Sequence, residues 1–428
     1  MRRHYLLAVL LVVLILHHVD RNVLLVLLEP IRREFGLSDM QLGALSGIAY
    51  ALPFALAGIP LGALADRLNR SRLLSTLLAV WSVFTAFAGW SRSYAALLVA
   101  RAAVGAAESG APPTMLSLIA DAYSTRSRPA ALSLLFAGPL IGLLLGSLIG
   151  GAAAAAFGWR GALWTVAAPG IAMAAVVWRT LPEPTRGRFD GPDALGGHDT
   201  RDGAQAPRHA SVPTVQVLQF VLRHAAIRAV ALGMSAASIV SIGIASWIPA
   251  LLMRDHRLPV QTAGADTALA VGLSGGLGAL VTAWIAARYG QGRPDRLLRM
   301  CAVGLLLSIP AGVAGALATS VPGTVTNLAL WALASTLYIG PGHSLYLGWV
   351  PSRMRGSLGA IIIVGCNLLG TGIGPQLTGL ASDLLRRSGD ARSLAHALAL
   401  LALLGAVPGL IFLCASFRPM PEAPQDLP

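Results

Sequence analysis

The chain alternates long apolar runs with short polar breaks. Runs at 5–16, 73–89 and 397–417 are typical. A helix needs about 20 apolar residues to cross a bilayer, so these runs predict membrane spans. Counting them against Gly, Pro and charge signals predicts six helices at 5–28, 42–65, 73–90, 95–120, 130–157 and 162–178. Six more follow at 225–252, 267–288, 297–317, 324–349, 356–383 and 393–416. The pattern is that of an all-α membrane protein with twelve transmembrane helices in two six-helix bundles, over 1–178 and, with a short tail, 225–428. Between them, 179–224 is rich in Gly, Pro, Asp, Arg and His. It is expected to be a flexible cytoplasmic linker, its more apolar part at 212–222 able to lie along the membrane surface. Two halves about one loop permit alternating access by rocking.

Composition supports the count. The 428 residues are 55% hydrophobic and only 12% charged, against about 25% charged in soluble proteins. That excludes a soluble enzyme, a nucleic-acid-binding domain and a secreted disulfide scaffold. The net charge of +13 would suggest nucleic acid in a soluble chain. Here it reads as loop anchoring. All 32 basic residues are Arg. With both termini cytoplasmic, 21 fall on that side and 9 on the other, as the positive-inside rule requires. Arg386, Arg387 and Arg392 run against it. The expected location is a bacterial inner membrane, crossed many times. The three Cys lie in apolar runs and form no disulfide framework.

The last two arginines lie inside spans. A charge at the bilayer centre costs roughly 2.5–3.5 kcal/mol on insertion scales. Four stand near that depth: Asp20 and Arg21 on the first helix, Arg101 and Glu108 on the fourth. Arg101 precedes Glu108 by seven residues, about 10 Å along the helix on one face. Matching depths predict Arg21 near Glu108, and Asp20 near Arg101 or sharing Arg21. His17 shares a face with Arg21 and is a candidate for the same network. Buried ion pairs are poor stabilisers, and intramembrane acids beside bases serve proton relays or substrate sites. Asp20 and Glu108 are thus candidate proton carriers, and Arg21 and Arg101 candidate anion holders. The plainer alternative is a network that only holds the two helices together. The second half offers neutral groups instead, with Tyr338, His343, Tyr346 and Asn367 as candidate cavity lining. One ionic and one greasy wall suit an amphiphilic anion.

The stretch Gly62-Ala-Leu-Ala-Asp66-Arg67-Leu-Asn-Arg70-Ser-Arg72 follows the second span. It resembles the cytoplasmic signature loop of the major facilitator superfamily, in which Gly62 permits close packing and Asp66, Arg67, Arg70 and Arg72 form a gate motif. Asn69 replaces the usual Gly, a substitution Asn tolerates at positive φ. The resemblance implies the twelve-helix fold of that family and places Asp66 near the start of helix eleven, by 355–357. Asp20-Arg21, Arg101-Ala-Ala-Val-Gly105-Ala-Ala-Glu108 and Leu118-Ile-Ala-Asp121 resemble the spinster-like branch, best over 1–180. That branch moves lysolipids or sphingoid phosphates with proton coupling, which the resemblance assigns to Asp20, Arg21 and Glu108. His17 stands where the branch often has Asn. Gly138-Pro139-Leu-Ile-Gly142 and Gly146 resemble loosely the antiporter motif of drug exporters, but small residues at spacing four are also how membrane helices pack.

No phosphate-cradling loop, nucleophile–base pair or metal cluster is present in the sequence. The expectation is a proton-coupled secondary transporter, without cofactor or metal, working as a monomer on a lysolipid-like small molecule in a lipid bilayer. Competing readings are a proton symporter of sugar acids or carboxylates, a drug exporter, and a non-transporting receptor or scaffold.

Overall fold

The computed structural model describes residues 2–124, 126–186, 214–290, 292–350 and 352–417. Among these, all regular elements are helical. They group into two compact units, Met1–Leu27 with Ala49–Arg208, and Leu28–Ile48 with His209–Pro428.

The first rods are α1 (Arg2–Phe35), α2 (Asp39–Ser46) and α3 (Ile48–Arg67), which make the first two spans. Next come α4 (Arg70–Trp90), α5 (Tyr94–Glu108), α6 (Ala111–Ala122), α7 (Arg128–Leu135) and α8 (Gly138–Thr180). The fourth predicted span is broken after Glu108. Pro112 and Pro113 have no N–H to offer the carbonyls of Glu108 and Ser109, so the helix restarts as α6 with Pro at its first turn. The fifth and sixth spans are two helices that meet at Gly158 within α8, where the non-helical φ of 70° suits only glycine.

The second unit holds α9 (Thr214–Arg223), α10 (Ala225–Asp255), α11 (Val260–Thr267), α12 (Ser274–Tyr289) and α13 (Pro294–Leu317). A π-helical turn, Ala268–Leu273, joins α11 to α12. Then follow α14 (Val321–Ser335), α15 (Ile339–Gly348), α16 (Ser352–Arg387), α17 (Ser393–Leu403) and α18 (Ala406–Ser416). The rods coincide with the twelve predicted spans. Nine of the described runs are individually long and apolar enough to cross a membrane. Large apolar side chains such as Leu56, Ile59, Trp90, Phe157, Leu280 and Trp284 face outward, as lipid-facing surfaces require.

The linker differs from expectation at both ends. Residues 181–186 are tied down: Glu183 accepts from Arg70 Nε at 2.7 Å and from the Ser71 amide at 2.9 Å. Arg186 donates to the Ala65, Asp66 and Leu68 carbonyls at the end of α3. At the far end α9 buries Val217 and Val221 against Ile227, Met354 and Leu358, while Leu218 and Leu222 stay exposed.

Candidate functional site

Helix packing fixes the site before any charge does. Gly138, Gly142, Gly146 and Gly150 line one face of α8 against α1. A methyl group at Gly142 would lie 2.5 Å from His18 Cβ and 2.7 Å from the Ile15 carbonyl. At Gly146 it would meet Asn22 Cβ and the Val19 carbonyl, both at 2.9 Å. The glycine stripe therefore serves packing, and it sets the height of His17, Asp20 and Arg21. Gly105 does the same for α3 against α5: a methyl there would sit 2.4 Å from the Tyr50 carbonyl oxygen. Tyr50 is thus pressed onto α5 one turn before Glu108.

These contacts gather a buried cluster within the first unit. Asp20 is 4% exposed, Arg101 5% and Glu108 0%. Asp20 Oδ2 lies 3.8 Å from Arg101 Nη1, and Thr85 on α4 donates to Asp20 Oδ1 at 2.6 Å. Glu108 Oε2 accepts from the Tyr50 hydroxyl at 2.6 Å, with His17 Nε2 at 3.7 Å. The guanidiniums of Arg21 and Arg101 stand 5.4 and 5.1 Å from the centre of the Tyr50 ring, within cation–π range. His17 packs edge-on to Trp81. Tyr50 thus gathers both arginines at its ring and Glu108 at its hydroxyl. Tyr50 and Thr85 were invisible to a search for charges, being neutral residues on two other helices. Glu108 Oε1, Asp20 Oδ2 and Arg101 Nε are buried with no donor or acceptor of the usual kind among the described residues, while the Asp20 and Glu108 carboxyls lie close enough to share a proton.

The signature loop is placed differently from the simple expectation. Asp66, Arg67 and Arg72 are exposed, and Arg72 lies 5.7 Å from the Trp178 ring. Arg70 is 1% exposed. It pairs with Asp121 and Glu183 and donates to Ser117 Oγ at 2.9 Å and the Pro184 carbonyl at 3.0 Å. Asn69 has φ −65° and caps α4 by accepting from the Arg72 amide at 2.9 Å. Its use here is capping, not left-handed backbone. A methyl at Gly62 would meet no described atom within 4 Å. The side chains of 355–357, near which Asp66 was expected, lie outside the described residues.

The second unit answers the topology anomaly. Asp39, 0% exposed, takes Arg254 Nη1 at 2.9 Å, Ser382 Oγ at 2.7 Å and Arg386. Glu29 takes Arg254 Nε at 2.6 Å. Asp383 caps α2, accepting from the Asp39 and Met40 amides at 3.0 and 2.8 Å. Arg392 pairs with Asp255 at 2.9 Å and donates to the Leu317 and Ala318 carbonyls ending α13. Arg386 and Arg392 are therefore compensated inside the fold. Of the neutral candidates, Tyr338 and Tyr346 pack in the apolar core, whereas His343 and Asn367 are both half-buried. No group of three metal-ligating side chains occurs among the described residues.

Residues 10–375 match the family model for the Major Facilitator Superfamily. The chain belongs to that superfamily. It is a multi-pass membrane transporter of spinster-like type. It is 28% identical to Protein spinster homolog 3 of Danio rerio over 97% of this chain and 85% of that protein. It is 26% identical to an MFS-type efflux pump of Mycolicibacterium smegmatis, covering 90% and 86%. The crystal structure of a bacterial homolog of the human lysosomal transporter Spinster, inward-facing and unoccupied, superposes with a TM-score of 0.87 at 25% identity, over 97% of each chain. A D-xylose–proton symporter shares the fold at a TM-score of 0.72 and 15% identity.

Proposed function

We propose that this superfamily member is a proton-coupled secondary transporter that moves an amphiphilic or organic anionic small molecule, lysolipid-like in character, by alternating access. The observation that carries the reading is the buried cluster of Asp20, Arg101, Glu108, Tyr50 and His17. Two buried carboxyls close enough to share a proton are suited to taking one up and passing it on. Arg21 and Arg101, one on each of two helices, are suited to the anionic group of a substrate. His343 and Asn367 keep accessible surface in the second unit and are the polar groups proposed to meet substrate there. Spinster relatives spanning nearly the whole chain support a lipid-like cargo. The mycobacterial relative's name favours a second reading, drug export. In this reading the chain lies in a bacterial inner membrane with both termini in the cytoplasm, the side on which Arg70, Asp121 and Glu183 gather.

The test is transport in proteoliposomes, with lysophospholipid, a hexuronate and a cationic drug compared side by side under an imposed pH gradient. Lysophospholipid is expected to be the driven solute, and Glu108→Gln to abolish the dependence on pH while the protein stays folded. Full pH-driven uptake by that variant would overturn the assignment.

A further inference from the structure

The charged members of the cluster surround a neutral one, Tyr50. Tyr50 is 3% exposed. Its backbone is set against Gly105, where even a methyl group would lie 2.4 Å from the Tyr50 carbonyl oxygen. Its ring is flanked by Phe54, with centroids 5.6 Å apart, and lies within 5.4 Å of the Arg21 and Arg101 guanidiniums. The phenol therefore has little freedom to swing, and its hydroxyl is delivered to one carboxylate oxygen of Glu108 at 2.6 Å. Phenylalanine would fill such a site almost as well by volume. The hydroxyl is what requires tyrosine.

We infer that Tyr50 is a positioning residue for proton exchange at Glu108: it fixes one oxygen of the carboxylate and so sets how readily the other, Oε1, takes a proton. The inference deepens the proposed proton coupling and rests on it. The groups facing this pair are His17, Asp20 and Arg21 from α1 and Arg101 from α5. The neighbouring face of α4 contributes Trp81 and Thr85, which do not titrate. His17 approaches the same oxygen as Tyr50, at 3.7 Å, and the Asp20 carboxyl lies within hydrogen-bonding reach of Glu108, so a proton taken up at Glu108 is one that Asp20 can share. A hydroxyl donating to a carboxylate stabilises the charged form. Losing it favours the protonated form, and hydrogen bonds to charged groups are strong enough to move a titration by about one unit, a tenfold change in proton affinity.

The experiment follows the carboxylic C=O infrared band of the full chain in liposomes as pD is varied, which needs no substrate. The band of Glu108 is the one that Glu108→Gln removes. Tyr50→Phe keeps the ring and removes only the hydroxyl. It is expected to carry the band about one pD unit further into the alkaline range, with the unfolding midpoint of the protein little changed. Should Tyr50→Phe fail to fold, Gly105→Ala leaves the phenol intact but pushes it off Glu108, and is expected to move the band the same way. A band that titrates as in wild type in the folded variant would overturn the role of Tyr50 alone. If Glu108→Gln removes no titrating band, the proton-carrier reading of Glu108 falls, and Tyr50 with it.

Discussion

Gly142→Ala tests whether the glycine stripe of α8 positions the charged cluster. The added methyl would stand 2.5 Å from His18 Cβ and 2.7 Å from the Ile15 carbonyl, where ordinary contact begins at 3.4 Å. Both obstacles belong to the backbone or its first carbon, so neither can rotate aside. The two helices must part by about 0.7–0.9 Å or distort, and overpacking of this kind costs about 1–3 kcal/mol. For a unit of this size that lowers the unfolding midpoint by roughly 2–12 °C. The same displacement reaches Asp20, two residues beyond His18. A Thr85–Asp20 bond of 2.6 Å would stretch by about the same amount, out of the usual O–H···O range. The Asp20–Arg101 contact, already 3.8 Å, would open as well. The assays are tryptophan-fluorescence melting and pH-driven lysophospholipid uptake in liposomes. Gly62→Ala is the control: with no described atom within 4 Å of the new carbon, its melting should match wild type. A Gly142→Ala protein with wild-type melting and wild-type pH dependence would refute the packing argument.

Thr85→Val, nearly isosteric, removes the donor to Asp20 and should shift the pH profile of transport without a large loss of stability; an unshifted profile would remove Asp20 from the coupling. Arg70→Gln removes the guanidinium that Asp121 and Glu183 share. Breaking a buried pair costs about 3–5 kcal/mol, less here because the Glu183 side chain is 24% exposed. Melting of Arg70→Gln beside Arg70→Gln/Asp121→Asn should show the second change restoring part of the loss. Asp383→Asn keeps an acceptor but removes the negative charge at the start of α2, worth about 0.3–1 kcal/mol, visible as faster hydrogen exchange over 39–46 with little change elsewhere in the second unit.

The fold was legible because a bilayer leaves few options: apolar runs of the right length become helices. The breaks within spans were harder to place. Pro112 and Pro113 announced one, but the π turn at Ala268–Leu273 carries no Pro and left no signal in the pattern. At the site, Asp20, Arg21, Arg101 and Glu108 stood out because charge is costly in lipid. Tyr50 did not, since a tyrosine in an apolar run is ordinary, and its pairing with Glu108 depends on Gly105 of another helix. Glu29 and Asp39 were overlooked for the opposite reason: they lie near span ends, where carboxylates pass as loop residues. Asn69 was noticed and misread, because the motif suggested a left-handed residue where the chain needed an N-cap.

Arg186 closes the open carbonyls of a helix some 120 positions earlier in the chain, a task usually left to a glycine at the helix's own end. The first half of the protein, as a physical object, therefore does not stop with its last span. An attempt to express the two halves as separate polypeptides and reunite them should cut after Arg186. A cut at Leu181 would discard the clasp over Arg70 and α3, and yield an N-terminal piece with a frayed edge that the intact chain never shows.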